Sequence, residues 1–217
     1  INECMERGIV KRKDLCIVTK LWNTEHDPAD VLPACSRSLK AMGLEYFDIF
    51  MMHWPVHMEK TSKLISNKDG GEYELKIVHS GNRQALSKTY QAMECLVRQG
   101  LVKALGVSNF SSRQLSELLR DCTIPPVANE VELHPLLQQP RLFDYCKEHK
   151  IQVIGYSPLG KIGYRSPNDP NMFEVPEILK IAEETDRTPA QVVLAWAVQR
   201  GASAIPKSLT PKRILSN

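Results

Sequence analysis

The sequence has 217 residues, 42% apolar and 24% charged, with a net charge of +3; this is the profile of one globular domain able to bury a core, and it excludes disordered and fibrous classes. The charge is spread without a Lys/Arg block or an interleaved aromatic stripe, so neither a nucleic-acid nor a membrane partner is expected. Cys4, Cys16, Cys35, Cys95, Cys122 and Cys146 are scattered without a CxxC pair, and no apolar run approaches the roughly 20 residues that span a bilayer, so a cytoplasmic protein with reduced thiols is expected.

The opening INECMERGIV reads as a helix in progress, with no strand or cap before it, and the first residue is not methionine. A segment upstream of residue 1 is therefore expected. Strand-length apolar runs follow at LCIVTKLW (15 to 22) and YFDIFMMHWP (46 to 55), with Gly43 as the stop of the helix between them. Residues 56 to 86 break the rhythm: they are polar, contain Gly70 and Gly71, and read equally well as a substrate-facing loop or as filler. After a second helix stop at Gly100 comes LVKALGVSNF (101 to 110), and then Leu115, Leu118 and Leu119 at helical spacing after Ser112. Two more strands are expected at PVANEVELHP (126 to 135) and IQVIGYSPLG (151 to 160). Thr188 and Pro189 start a helix carrying Val193, Ala197 and Val198, and ASAIPKS (202 to 208) is the last strand candidate. Thr210 and Pro211 open a further helix that ends within a turn or two, so a carboxyl-terminal continuation is also expected.

Strands apolar on both faces and alternating with helices pair in parallel through right-handed crossovers, which leaves a doubly wound sheet or a (β/α)8 barrel. No GxGxxG follows any strand, so the dinucleotide fingerprint of the doubly wound fold is missing. Polar and aromatic residues gather at strand carboxyl ends: Lys20 and Trp22, His53 and Trp54, Ser108 and Asn109, Glu132 and His134, Tyr156 and Ser157, Lys207 and Ser208. Barrels build their sites on that face. The expected fold is α/β, a (β/α)8 TIM barrel with about six of its eight βα units present, and residues 1–217 form one partial domain.

VTKLWN around Lys20, HWP at 53 to 55, GLVKALGVSNF at 100 to 110, NEVELHP at 129 to 135, GYSPLG at 155 to 160 and IPKS at 205 to 208 resemble, in order and spacing, the aldo-keto reductases. The resemblance covers essentially the whole chain. Reducing a carbonyl by hydride needs a proton donor at the oxygen, and a phenol of pKa near 10 serves when a nearby cation lowers that value. The resemblance implies that Lys20 is that cation and that His53 orients the carbonyl. The proton-donating tyrosine and the aspartate paired with the lysine match positions upstream of residue 1, so the catalytic set is expected to be incomplete and the isolated chain inactive and poorly folded. Tyr156 matches the residue that stacks on nicotinamide, while Tyr73 and Tyr164 lie on loops, so no surrogate acid is expected.

The same resemblance implies NADPH as cofactor. Ser108, Asn109 and Glu130 match the residues that hold the nicotinamide carboxamide, and Ser157 and Leu159 match neighbouring cofactor contacts. Lys207, Ser208 and Arg213, around a strand-to-helix turn, suit the adenosine 2′-phosphate. Asn217 matches an adenine contact. Glu130 stands where glutamine is usual, and Ser216 replaces a common glutamate. Trp22 and Trp54 match walls of a substrate site for a small carbonyl compound. No metal is expected: His53 and His57 have i, i+4 spacing, but Pro55 between them argues against a regular helix. A monomer or weak dimer is expected. Two other readings are a noncatalytic NADP(H)-binding protein and a barrel lyase using Lys20 or Lys207 as a Schiff base.

Overall fold

The computed structural model describes residues 1–60, 77–160 and 170–217. The chain is α/β and resolves into two compact units, Ile1–Val127 and Ala128–Asn217. Tyr73, Tyr164, Gly70 and Gly71 lie outside the described residues.

The first unit runs α1 (Asn2–Glu6), β1 (Val18–Leu21), α2 (Pro28–Met42), β2 (Phe47–Met52), β3 (Val56–Met58), β4 (Ile77–Ser80), α3 (Arg83–Arg98), β5 (Val102–Ser108) and α4 (Ser112–Asp121), with short 3-10 turns at Arg12–Asp14 and Asn23–Glu25. Strands β1, β2 and β5 are parallel neighbours in that order. Phe50, Met51 and Met52 are consecutive and all buried. Successive strand residues face opposite ways, so both faces of β2 are covered, as a parallel sheet requires.

The helices α2, α3 and α4 each begin where a side chain takes up an end N–H. The Asp27 carboxylate accepts from Ala29 N at 2.9 Å ahead of α2, Asn82 from Ala85 N at 3.1 Å ahead of α3, and Ser111 forms a capping box with Gln114 ahead of α4. The α4 cap is thus one residue earlier than the Ser112 suggested by apolar spacing. Gly43 ends α2 with φ 62°, a left-handed turn that a Cβ would strain. Leu86, Tyr90, Met93 and Leu96 form one buried stripe on α3. At the amino ends of the strands, Asp48 accepts from Arg12 at 2.8 Å, Ile17 N at 2.9 Å and Lys103 at 3.2 Å. Burial opposes ionisation of this carboxylate, but these three donors hold its pKa below the ordinary value. Strands β3 and β4 come from the stretch read as an irregular loop, and they pair antiparallel with His57 opposite His79.

The second unit runs β6 (Ala128–Glu132), α5 (Pro140–Glu148), β7 (Gln152–Tyr156), α6 (Pro176–Thr185), α7 (Pro189–Gln199), β8 (Ser203–Ala204) and α8 (Pro211–Ser216). Strands β6, β7 and β8 are parallel in that order. A Cβ on Gly155 would sit 3.1 Å from Leu133 Cβ, so the small residue lets the segment after β6 lie close to β7. Met172, Ile178 and Val193 form a buried cluster against which Leu159, Val175 and Val192 pack. Thr188 caps α7 in a box with Gln191, whereas Thr210 precedes α8 without a side-chain cap bond. All six expected parallel strands are present, each shorter than its apolar run; the last spans two residues, leaving Lys207 and Ser208 beyond the strand.

Candidate active site

In the first unit the expected residues collect at the carboxyl ends of neighbouring strands. Lys20 is in register with Met51, and the His53 N–H donates to Leu21 O at 3.1 Å, so β1 delivers Lys20 and Trp22 beside the end of β2. The Trp22 and His53 rings meet edge to face, 5.0 Å between centroids at 74°. Trp22 and Trp54 are 45% and 40% exposed, too open for core aromatics. Asn109, just past β5, donates through its side-chain amide to His53 O at 2.9 Å and to Ser108 Oγ at 3.0 Å. Its φ is 63°, a left-handed conformation that asparagine tolerates better than most side chains.

Electrostatics set the protonation state of this cluster. Burial, with a smaller contribution from the Lys20 ammonium, pushes the His53 pKa down to about 4. His53 is therefore a neutral imidazole near pH 7, with one N–H to donate and one nitrogen to accept. Such a ring can hold a carbonyl oxygen by a hydrogen bond.

The second unit carries the remaining expected residues. Glu130 and Glu132 lie on β6, with Glu130 buried, and Glu132 is in register with Tyr156 at the end of β7. Burial, then the carboxylates of Glu132 and Glu130, raise the Tyr156 pKa. A carbonyl-protonating phenol needs the opposite shift, so Tyr156 suits a flat binding surface better than an acid. Ser157 follows with φ 47°, a costlier left-handed turn for serine that reverses the chain at the strand end, where Gly160 N donates to Ser157 O at 2.8 Å. Leu159 packs on the Met172 cluster. Lys207, Arg213 and Asn217 are exposed, and neither cation is in an ion pair among the described residues. Ser208 Oγ accepts from Thr210 N at 3.1 Å, shaping the turn into α8.

A neutral ring and amide lie in the first unit, while the second carries a half-buried aromatic face and solvent-facing cations. Among the described residues no group of three His, Cys, Asp or Glu side chains could hold a metal ion. His53 follows β2 while His57 lies within β3, so the two are not on one helix.

Sequence reasoning named Glu132 and His134 only as strand-end residues, without the 3.3 Å pair they form, and His57 only beside His53; it did not single out His26 or His79. The first pair had a signal, since residues two apart at a strand end share a face. The histidine trio had none, because its members are distant in sequence.

The sequence model described as the Aldo/keto reductase family matches residues 1–217. The rat protein Aldo-keto reductase family 1 member A1 is 42% identical, aligned over 100% of this chain and 67% of its own length. The human protein of the same name is 41% identical over 96% of this chain and 63% of its own. A solved aldose reductase from Schistosoma japonicum superposes with a TM-score of 0.86 at 34% identity, covering 100% of this chain and 66% of that one, and its fold is the expected (β/α)8 barrel. The chain thus spans about two thirds of the length of these relatives.

Proposed function

The chain belongs to the aldo/keto reductase family, and on that premise we propose that it serves the NADPH-dependent reduction of aldehydes or ketones to alcohols, with residues 1–217 forming part of one barrel domain. The observation that carries this reading is the cluster at the ends of β1, β2 and β5, where a neutral His53 meets Trp22 and is tied to Asn109. His53 donates to the carbonyl oxygen of the substrate and sets its orientation. Lys20 contributes a positive charge that eases proton release from a phenol, and Trp22 and Trp54 wall the substrate.

NADPH, when bound, supplies the hydride. Ser108, Asn109 and Glu130 would hold its carboxamide, Tyr156 its ring face, and Ser157 and Leu159 would line its path. Lys207, Ser208 and Arg213 would take the 2′-phosphate, and Asn217 the adenine. Lys207 and Arg213 are exposed and in no ion pair among the described residues, which supports an anionic ligand there and so favours NADPH over NADH. A small carbonyl compound is the partner in this reading, and a cytoplasmic monomer or weak dimer the working form.

A second reading, a noncatalytic NADP(H)-binding protein or an inactive fragment, has its own support. The Tyr46 ring lies under Arg12 and Lys103, 3.9 and 4.1 Å to its centroid, and immediately precedes β2, whereas His53 immediately follows it. Tyr90 is buried and donates to Ile124 O at 3.1 Å. Neither supplies a proton beside His53. The test has two arms: quenching of tryptophan fluorescence by NADPH against NADH, and aldehyde-dependent NADPH oxidation by the protein. Binding with turnover supports the reductase, binding without turnover the second reading, and no binding removes both.

A further inference from the structure

Three histidines outside the site just described meet in the first unit. His26, after the 3-10 turn Asn23–Glu25, is 1% exposed, and neither ring nitrogen has a hydrogen-bond partner among the described residues. Its ring centroid lies 5.9 Å from that of His57 on β3, and His57 meets His79 on β4 edge to face at 5.0 Å. His79 Nδ1 is also buried without a partner among the described residues. The Thr89 hydroxyl of α3 donates to the His26 backbone carbonyl at 2.5 Å and so fixes the segment carrying the ring, while Asn23 Nδ2 reaches Met58 Sδ at 3.7 Å. The seam between the 3-10 turn and the β3–β4 pair is therefore made largely of imidazoles facing one another.

We propose that His26, His57 and His79 form a seam that docks the β3–β4 pair on the body of the first unit, and that acidification releases the pair by placing like charges in that seam. A buried imidazole without an acceptor gains nothing from a second proton and loses its hydration when charged. Among the described residues the neighbouring elements offer no compensation. Glu25 is paired with Arg37, the Asp27 carboxylate caps α2, and Asp30 on α2 is paired with Lys60 at 2.6 Å. Cys35 on α2 stays a thiol, since burial pushes its pKa up to about 11, and α3 meets His26 through the Thr89 hydroxyl. β3 (Val56–Met58) and β4 (Ile77–Ser80) carry no acid, and Glu59, just past β3, is exposed.

Burial first, then the charges of His57 and His79, lower the His26 pKa to about 3, and burial and His57 also lower that of His79. With a folded pKa below that of the exposed ring, docking is at full strength above about pH 6.5 and weakens as pH falls from there toward 3. At pH 5 the release of His26 alone favours the open form about thirty-fold relative to pH 7.5. Trp54 and Pro55 connect β3 to His53, so release would loosen a residue assigned to the substrate wall. The seam itself stands whether or not the protein is a reductase.

Amide hydrogen exchange on the whole chain at pH 7.5 and 5.0, corrected for intrinsic exchange, tests this. The expected result is a roughly thirty-fold loss of protection in segments 56–58 and 77–80 at pH 5.0, with β1 and β5 unchanged. His26→Leu should abolish the loss, and His79→Leu, at a less buried position, should reduce it even if His26→Leu does not fold. Equal protection at the two pH values overturns the proposal, as does acid release that is undiminished in His79→Leu or that opens β1 and β5 to the same extent.

Discussion

The side-chain amide of Asn109 donates to the backbone carbonyl of His53 at 2.9 Å, fastening the end of β5 to the end of β2. One residue thus fixes the chain that carries the imidazole, and it does so from a left-handed backbone with φ 63°. Replacing it separates the two contributions. Asn109→Gly should lose the side-chain hydrogen bonds to His53 O and Ser108 Oγ, about 1 kcal/mol each, whereas Asn109→Ala should lose a further 1–2 kcal/mol, roughly, from backbone strain. Urea midpoints should fall in the order wild type, glycine, alanine; alanine above glycine would refute the backbone argument.

His53 should titrate near pH 4 by NMR of its ring protons. Because its pKa is lowered on folding, the site is at full stability above about pH 6.5 and loses stability as pH drops toward 4. Lys20→Met should raise that pKa without restoring the value of an exposed imidazole, since burial is the larger cause. An unchanged value in the variant would show that Lys20 does not act on His53.

Glu94 is 2% exposed, and one carboxylate oxygen accepts from Thr123 N at 2.6 Å and Ile124 N at 2.8 Å, holding the turn after α4 against α3. Glu94→Ala should cost about 2 kcal/mol, and Glu94→Gln distinctly less because its carbonyl oxygen still accepts. Thermal melts showing the two variants equally destabilised would assign the effect to lost charge instead of lost acceptor geometry.

If Lys207 and Arg213 take the 2′-phosphate, the double change to alanine should weaken NADPH binding about ten- to a hundred-fold and leave NADH binding nearly unchanged. Titration of intrinsic fluorescence with both nucleotides checks this. Parallel weakening of both would place the two cations elsewhere on the ligand, or affecting the fold.

The histidine seam connects residues 26, 57 and 79, and nothing in their sequence spacing announces it. The stretch 56 to 86 looked irregular because its polar residues lack periodicity, yet Val56–Met58 and Ile77–Ser80 pair across it. Antiparallel pairing needs only backbone groups in register, so composition was a poor guide there. The caps at Asp27, Asn82 and Thr188 are different: each is decided within a few residues and could be read locally.

By itself the sequence determined the alternation of six strands with helices, and it determined which side chains stand at the strand ends, because apolar periodicity and capping act over a few residues. It also carried the family through ordered motifs from VTKLWN to IPKS. Only the tertiary structure decided that His53 is neutral, that Trp22 meets it edge on, and that Asn109 holds its carbonyl. These properties arise where residues dozens of positions apart are brought together and stripped of water, and burial and neighbouring charge are set by that assembly.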